Sequence, residues 1–178
     1  MSHYDVIVIG SGPAGQKASV QAAKAGKTVA IIERDKWLGG ACVHRGTIPS
    51  KTLRENALRV KKMRENAALC SFELAEDIEM STLIDRLNRV LQAHDGFMAN
   101  QIERNNIVRV HGRAKFLSPT ELEVTKLKGE SEVLTADSFV VASGSIPNHP
   151  DNVPVDHENI FDSDSILSML YLPRSLTV

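Results

Sequence analysis

The chain has 178 residues, of which 42% are hydrophobic and 24% charged, and its net charge is −1. That balance suits a folded domain of ordinary size and excludes low complexity and intrinsic disorder. So small a net charge provides no field to gather nucleic acid or an anionic membrane surface, and two cysteines, Cys42 and Cys70, are too few for a disulfide scaffold.

No apolar run reaches the about 20 residues of a membrane span. Met1-Ser2-His3-Tyr4-Asp5 leads into a strand without the basic and hydrophobic regions of a signal peptide. The expectation is a cytoplasmic chain, with neither nucleic acid nor membrane as a partner.

Residues 4–9, Tyr-Asp-Val-Ile-Val-Ile, are a β-branched run suited to a strand buried on both faces of a parallel sheet. Gly10-Ser11-Gly12-Pro13-Ala14-Gly15 follows at once, then an Ala-rich helix from about Pro13 to Ala25, stopped by Gly26. Thr28 to Ile32 reads as a second strand ending in Glu33, which completes a βαβ unit. Each residue of the turn has a physical task. Gly10 permits the tight turn, Gly12 lets the backbone approach a pyrophosphate, and Gly15 lets the helix pack close to the strand. Pro13 and Ala14 open the helix, whose unpaired N–H groups and partial positive charge favour phosphate. Glu33, with Arg34 beside it, accepts hydrogen bonds from a ribose diol and disfavours a 2′-phosphate. The pattern marks a dinucleotide site and leaves FAD and NAD both open.

Residues 39–51 read Gly39-Gly40-Ala41-Cys42-Val43-His44-Arg45-Gly46-Thr47-Ile48-Pro49-Ser50-Lys51. This segment resembles the flavin-proximal motif of the pyridine nucleotide-disulfide oxidoreductases, Gly-Gly-x-Cys-x4-Cys-x2-Pro-Ser-Lys, in which the two cysteines form a redox disulfide. Cys42 matches the first cysteine, but Thr47 stands in place of the second. A threonine forms no disulfide, so the dithiol relay is absent. One branch of the family, the soluble transhydrogenases, carries this same change.

The resemblance implies FAD as cofactor, with Gly39, Gly40, Ala41 and Cys42 beside it, and NAD(P)(H) as substrates. It implies hydride transfer between NADPH and NAD⁺ through the flavin, with Lys51 near flavin N5 as a stabilising cation. Cys42 reads either as a redox residue or as a small buried residue near the flavin. Thr47 either hydrogen-bonds near the flavin or packs. His44 follows Cys42 at a spacing that suggests metal, but His3, His94, His111, His149 and His157 are scattered along the sequence, and no metal is expected.

Pro49 suits a first helical position, and the helix is expected to run to about Asn66. Arg59, Lys61, Lys62 and Arg64 read as its solvated face. A break over 70–77 precedes a second helix from about Met80 to Glu103, with an apolar stripe of Leu83, Ile84, Leu87, Val90 and Leu91. From Ile107 the period becomes two. By resemblance, Gly112 and Ala114 in His-Gly-Arg-Ala-Lys-Phe supply backbone groups to the adenine. Strands over 121–125 and 132–134 form a hairpin, and a separate strand is expected over 137–142. Ala142-Ser143-Gly144-Ser145-Ile146-Pro147 resembles the family's Ala-Thr-Gly-Ser-x-Pro, which makes Ser143 and Gly144 further FAD contacts. Ser163 is expected to cap a short helix over 164–170, and 173–178 to open a new strand.

The fold expected is α/β. It is a Rossmann-like FAD-binding domain over 1–147, a parallel sheet with helices, a β-hairpin and a helical insertion at about 51–105, incomplete at its C-terminus. Residues 148–178 then form a connector and the first strand of a truncated NAD(P)-binding domain. The parent protein is expected to be a homo-oligomer through a C-terminal domain outside this chain. Two other readings stand beside transhydrogenation: a flavin-binding fragment without turnover, and a flavoprotein reductase acting on quinones or dyes.

Overall fold

The apolar run that opens the chain forms strand β1 (Ser2–Ile9). Its residues Ile7 and Val8 have no exposed surface, so both faces of the strand are covered. A computed structural model describes residues 2–70, 80–127, 129–169 and 171–178. Helix α1 (Pro13–Lys24) follows, then β2 (Val29–Glu33), all five of whose residues are buried. Two further helices are α2 (Gly40–His44) and α3 (Thr47–Cys70), and α4 (Met80–Arg104) comes next. Four strands close the order: β3 (Val108–His111), β4 (Arg113–Ser118), β5 (Glu121–Thr125) and β6 (Ser131–Val141). A 3₁₀ turn lies at Ser165–Ser168.

The six strands make one sheet in the order β3-β2-β1-β6-β5-β4. The first four are parallel and the last three are joined antiparallel. The parallel part has the strand order of a Rossmann half, with α1 as the first crossover. Its core contains Ile7, Ala30, Ile32 and Val110 from the parallel strands and Leu122, Val124, Leu134 and Ala136 from the antiparallel ones. The expected α/β architecture, a parallel sheet with helices and a β-hairpin, is therefore the observed one, with β4 adding a third antiparallel strand to the hairpin of β5 and β6.

Two strand limits differ from expectation. β1 begins at Ser2 because Ser2 and His3 pair with Leu134 and Thr135. The separate strands expected over 132–134 and 137–142 are one strand, β6. Its first half is antiparallel to β5 through Thr135, and from Leu134 to Val141 it runs parallel to β1. One continuous backbone thus changes partners without breaking.

The residues divide into two compact units, Met1–Val43 with Ala93–Ser145, and His44–Gln92 with Ile146–Val178. The boundaries fall inside α2 and α4. Of the stripe expected on α4, Leu87 is buried and Leu83, Ile84, Val90 and Leu91 are half-buried; Met98 and Ile102, further along the helix and outside the expected stripe, are buried as well. On α3, Arg59, Lys61, Lys62 and Arg64 are exposed, as expected of a solvated face, and Lys61 pairs with Glu65 at 3.7 Å. The break expected after α3 and the residue Leu170 lie outside the described residues, as does the Cys70 side chain. Residues 173–178, expected to open a strand, join no ladder of the sheet, and a strand requires a neighbour for its N–H and C=O groups.

The short helix expected over 164–170 is a single turn, Ser165–Ser168, whose N-cap position is Asp164 without a side-chain cap, so Ser163 does not cap it; Asp162, further back, takes up the N–H groups at its start. The Asp162 carboxylate accepts from the N–H groups of Asp164 (3.0 Å) and Ser165 (2.6 Å), while its own N–H donates to Ser165 Oγ at 3.0 Å. The bonds from the Ser165 N–H and hydroxyl, joined by His149, hold the carboxyl well below the usual range.

Candidate functional site

The first unit gathers most of the residues singled out in the sequence around the end of β1. Gly10 has φ +103°, a conformation that excludes ordinary side chains, and a Cβ there would lie 2.3 Å from the Ala142 carbonyl oxygen. The Gly10 N–H donates to the Ile32 carbonyl at 2.8 Å, and the Ala142 N–H to that of Ile9 at 2.8 Å. The turn is thus wedged between β2 and β6. Gly15 is crowded from the other side, since a Cβ on it would lie 1.9 Å from the Gly10 oxygen. These two glycines bring the start of α1 onto the strand end.

Gly12 differs. It is the N-cap of α1 at φ −63° and ψ 178°, with Pro13 at the first helical position. A Cβ at Gly12 would meet nothing within 4 Å. Pro13 and Ala14 are exposed beside it. The helix N-terminus therefore opens onto a space without side chains, which is what a pyrophosphate needs.

Glu33 ends β2 beside this turn and is 6% exposed. Its Oε2 accepts from the Ser11 N–H at 2.9 Å and the Ser11 hydroxyl at 2.5 Å, and its Oε1 accepts from the Asp35 N–H at 2.9 Å. Burial pushes the carboxyl up, but the hydrogen bonds from Asp35, Ser11 and the Arg34 backbone outweigh it and hold the pKa below the ordinary glutamate value. The site so keeps a buried, ionised acceptor next to a helix N-terminus.

The segment after Glu33 is braced from several elements. Arg109 Nη2 donates to the Lys36 carbonyl at 2.6 Å, and His111 Nε2 to that of Arg34 at 3.2 Å. Asp95 of α4 accepts from the Leu38 N–H at 3.0 Å. Gln16 donates to the Ser11 carbonyl at 2.9 Å and lies against the Met98 sulfur. The Gly39 N–H donates to Ser11 Oγ at 3.0 Å. Gly40 follows with φ +60°, where a Cβ would stand 3.1 Å from the Gly12 Cα. Ala41 is exposed and Cys42 half-buried as a free thiol. Of these residues Ser11, Gln16 and Asp95 were not among those the sequence singled out as a site. For Ser11 the signal was its place inside the glycine pattern; for the other two there was none.

Gly112 and Ala114 sit at the junction of β3 and β4. The Gly112 N–H donates to the Glu33 carbonyl at 2.9 Å, and a Cβ there would lie 2.7 Å from the Thr125 carbonyl oxygen. Gly112 is thus required by packing whatever its part in binding. Gly112→Ala is expected to cost about 1–3 kcal/mol, read as a lowered melting midpoint. Ala114 is half-buried opposite Val124. Ser143 and Gly144 are exposed immediately after β6, with the Ser143 Cα 3.4 Å from the position of a Gly10 Cβ.

The second unit holds the remaining candidates. Thr47 begins α3 and Lys51 is exposed on the same helix. The helix starts two residues before Pro49, so Lys51 falls beyond the first turn, where the dipole opposes a cation less. Among the described residues Lys51 pairs with no carboxylate. A cavity of about 460 Å³ in this unit is lined by Arg45, Pro49 and Leu87 on one side of the sequence and Asp162, Asp164 and Ser165 on the other. Arg45 faces Asp164 at 3.8 Å. No helix of the described residues is long and apolar enough to cross a membrane.

Comparison with known proteins decides the family. The pyridine nucleotide-disulphide oxidoreductase family matches residues 4–177. The chain belongs to that family. It is 39% identical over 177 residues to the soluble pyridine nucleotide transhydrogenase of Vibrio vulnificus, a match covering 99% of this chain and 38% of that protein. It is 40% identical over 180 residues to the soluble pyridine nucleotide transhydrogenase of Mycobacterium bovis, covering 100% of this chain and again 38% of that protein. The chain thus spans well under half the length of these relatives. Among solved structures it resembles the Cu(II) complex of the HOCl-induced flavoprotein disulfide reductase RclA from Escherichia coli. The TM-score is 0.80 and the identity 26%, over 97% of this chain and 36% of that one.

Proposed function

We propose that this chain is the FAD-binding part of a flavoprotein that exchanges hydride between NADPH and NAD⁺. The fit of the cradle supports FAD. Gly12 leaves the helix N-terminus open for the pyrophosphate, Glu33 presents an ionised carboxylate for the ribose, and Gly39–Gly40 lie beside both. Bound FAD supplies the hydride acceptor and donor that no side chain provides. The residues of the chain do the rest. Gly10 and Gly15 fix the turn, Ser143 and Gly144 follow β6 beside it, and with these Arg34 and Ala41 would hold the nucleotide. Gly112 and Ala114 offer backbone groups toward the adenine. Lys51 brings a cation that favours negative charge on reduced flavin.

The observation that carries the choice of reaction is Thr47. With no second thiol five residues after Cys42, electrons have no protein dithiol to enter, and an external nicotinamide nucleotide becomes their acceptor. Cys42 then serves as a small residue of the site without a redox task. The relatives named above as transhydrogenases support the same reading. Residues 148–178 are proposed to lead toward the NAD(P)-binding part of the longer protein, which assembles through its own later domain.

The test is an absorption spectrum of the purified chain, followed by NADPH under argon and then NAD⁺. A flavin band that NADPH bleaches and NAD⁺ restores is the result expected of the longer protein. A band from this chain that NADPH leaves unchanged assigns it to FAD binding alone. Recovery by quinones or dyes but not by NAD⁺ overturns transhydrogenation in favour of a reductase.

A further inference from the structure

We propose that Ser11 is a positioning residue of the nucleotide site, whose hydroxyl holds Glu33 for the ribose and pins the Gly39–Gly40 turn beside the phosphate turn. The inference rests on the FAD reading above. Ser11 has no exposed surface. Its hydroxyl donates to Glu33 Oε2 at 2.5 Å and accepts from the Gly39 N–H at 3.0 Å, while its own N–H donates to the same Oε2 at 2.9 Å. Three stretches distant in sequence, the glycine turn, the end of β2 and the approach to α2, therefore meet at one oxygen.

Only a hydroxyl serves at this point. It must donate and accept at once in a place that water does not reach, and alanine does neither. A glutamate side chain has three rotatable bonds, and an unheld carboxylate must give up that freedom when a ribose binds. Ser11 removes the cost beforehand. The Ser11 and Asp35 donors leave only part of the carboxylate's accepting capacity for the ribose hydroxyls, so they also set the direction from which the ribose approaches.

The test is a double-mutant cycle on FAD affinity with Ser11→Ala, Glu33→Gln and the pair, the fold checked by circular dichroism. Ser11→Ala is expected to weaken FAD binding on the order of tenfold. In the Glu33→Gln background the same change is expected to cost clearly less than in the wild type, because the carboxylate charge that the hydroxyl holds is gone and its bond from the Gly39 N–H is the main one left to lose. Losses that add independently overturn the assignment while leaving the FAD site standing. A wild-type protein that takes up no FAD overturns the flavin reading and the Ser11 assignment with it.

A second readout is the pH at which FAD is released on acidification. Ser11 helps keep Glu33 ionised, so Ser11→Ala is expected to move that limb to higher pH. The other ionisable side chains on the stretches that meet here are Arg34, Asp35 and Lys36 in the segment after Glu33, His111 and Arg109 on β3, which bond the backbone of that segment, and Asp95 on α4, which bonds Leu38. None is changed by the substitution. An acid limb identical in wild type and Ser11→Ala overturns the proposal.

Discussion

Gly15→Ala is expected to destabilise the flavin-free protein by about 3 kcal/mol or more, lowering its thermal midpoint by on the order of 10 °C. The added methyl would lie 1.9 Å from the Gly10 carbonyl oxygen and 3.3 Å from Val8 Cγ1. Neither neighbour yields cheaply. Gly10 is fixed by its bond to Ile32 and by contact with Ala142, and Val8 is fully buried in β1. Helix α1 must therefore move off the sheet. Gly12→Ala is the informative control, because it adds the same methyl where nothing lies within 4 Å. Its flavin-free stability is expected to change by less than about 1 kcal/mol, the usual difference between glycine and alanine at an N-cap. Its FAD affinity is expected to fall on the order of 100-fold, since the methyl occupies the approach of the pyrophosphate. Thermal melts with and without flavin separate the two effects. A Gly12→Ala protein that binds FAD as the wild type does would show that the phosphates lie elsewhere.

The contrast between those glycines explains what the sequence conveys and what it withholds. The βαβ unit was legible because its signals are local: a β-branched run, a glycine turn, an Ala-rich helix and an acid at the second strand end all lie within residues 4–33. Which glycine fills a packing role and which leaves an open space follows from the distances to Ala142 and Gly10, and those were not visible in the sequence. β6 was read as two strands, over 132–134 and 137–142, with Thr135 and Ala136 left between them. In the fold that stretch is where the strand passes from β5 to β1, and His3 lies 3.0 Å from Thr135 Oγ1 and 3.4 Å from Asp137. Asp162 and Ser163 both have side chains suited to a helix start, and only the fold shows that the aspartate takes up the Ser165 N–H. Asp95 serves the loop at Leu38 across a long sequence separation, and no local pattern reveals such a bond.

Glu33→Ala is expected to weaken FAD binding on the order of 100-fold, equivalent to about 2.7 kcal/mol, whereas Cys42→Ser changes it by less than about threefold. Glu33 is the acceptor for three donors, the Ser11 N–H, the Ser11 hydroxyl and the Asp35 N–H. Its removal also leaves the buried Ser11 N–H and hydroxyl without this acceptor, so the flavin-free protein is expected to lose about 2–4 kcal/mol as well. Cys42 is half-buried, and exchange of its sulfur for oxygen leaves that network intact. The wild-type protein carries a pH signature of the same carboxylate. Its folded pKa is depressed, so the stability it contributes is complete above the unfolded glutamate value and is lost as pH falls through the folded one. Loss of stability attributable to Glu33 is therefore confined to the acid side of the ordinary glutamate range, and Glu33→Ala flattens that part of the profile. Flavin titrations of the two variants decide the first point. Equal affinities would remove Glu33 from the ribose and with it the basis for placing FAD in this cradle.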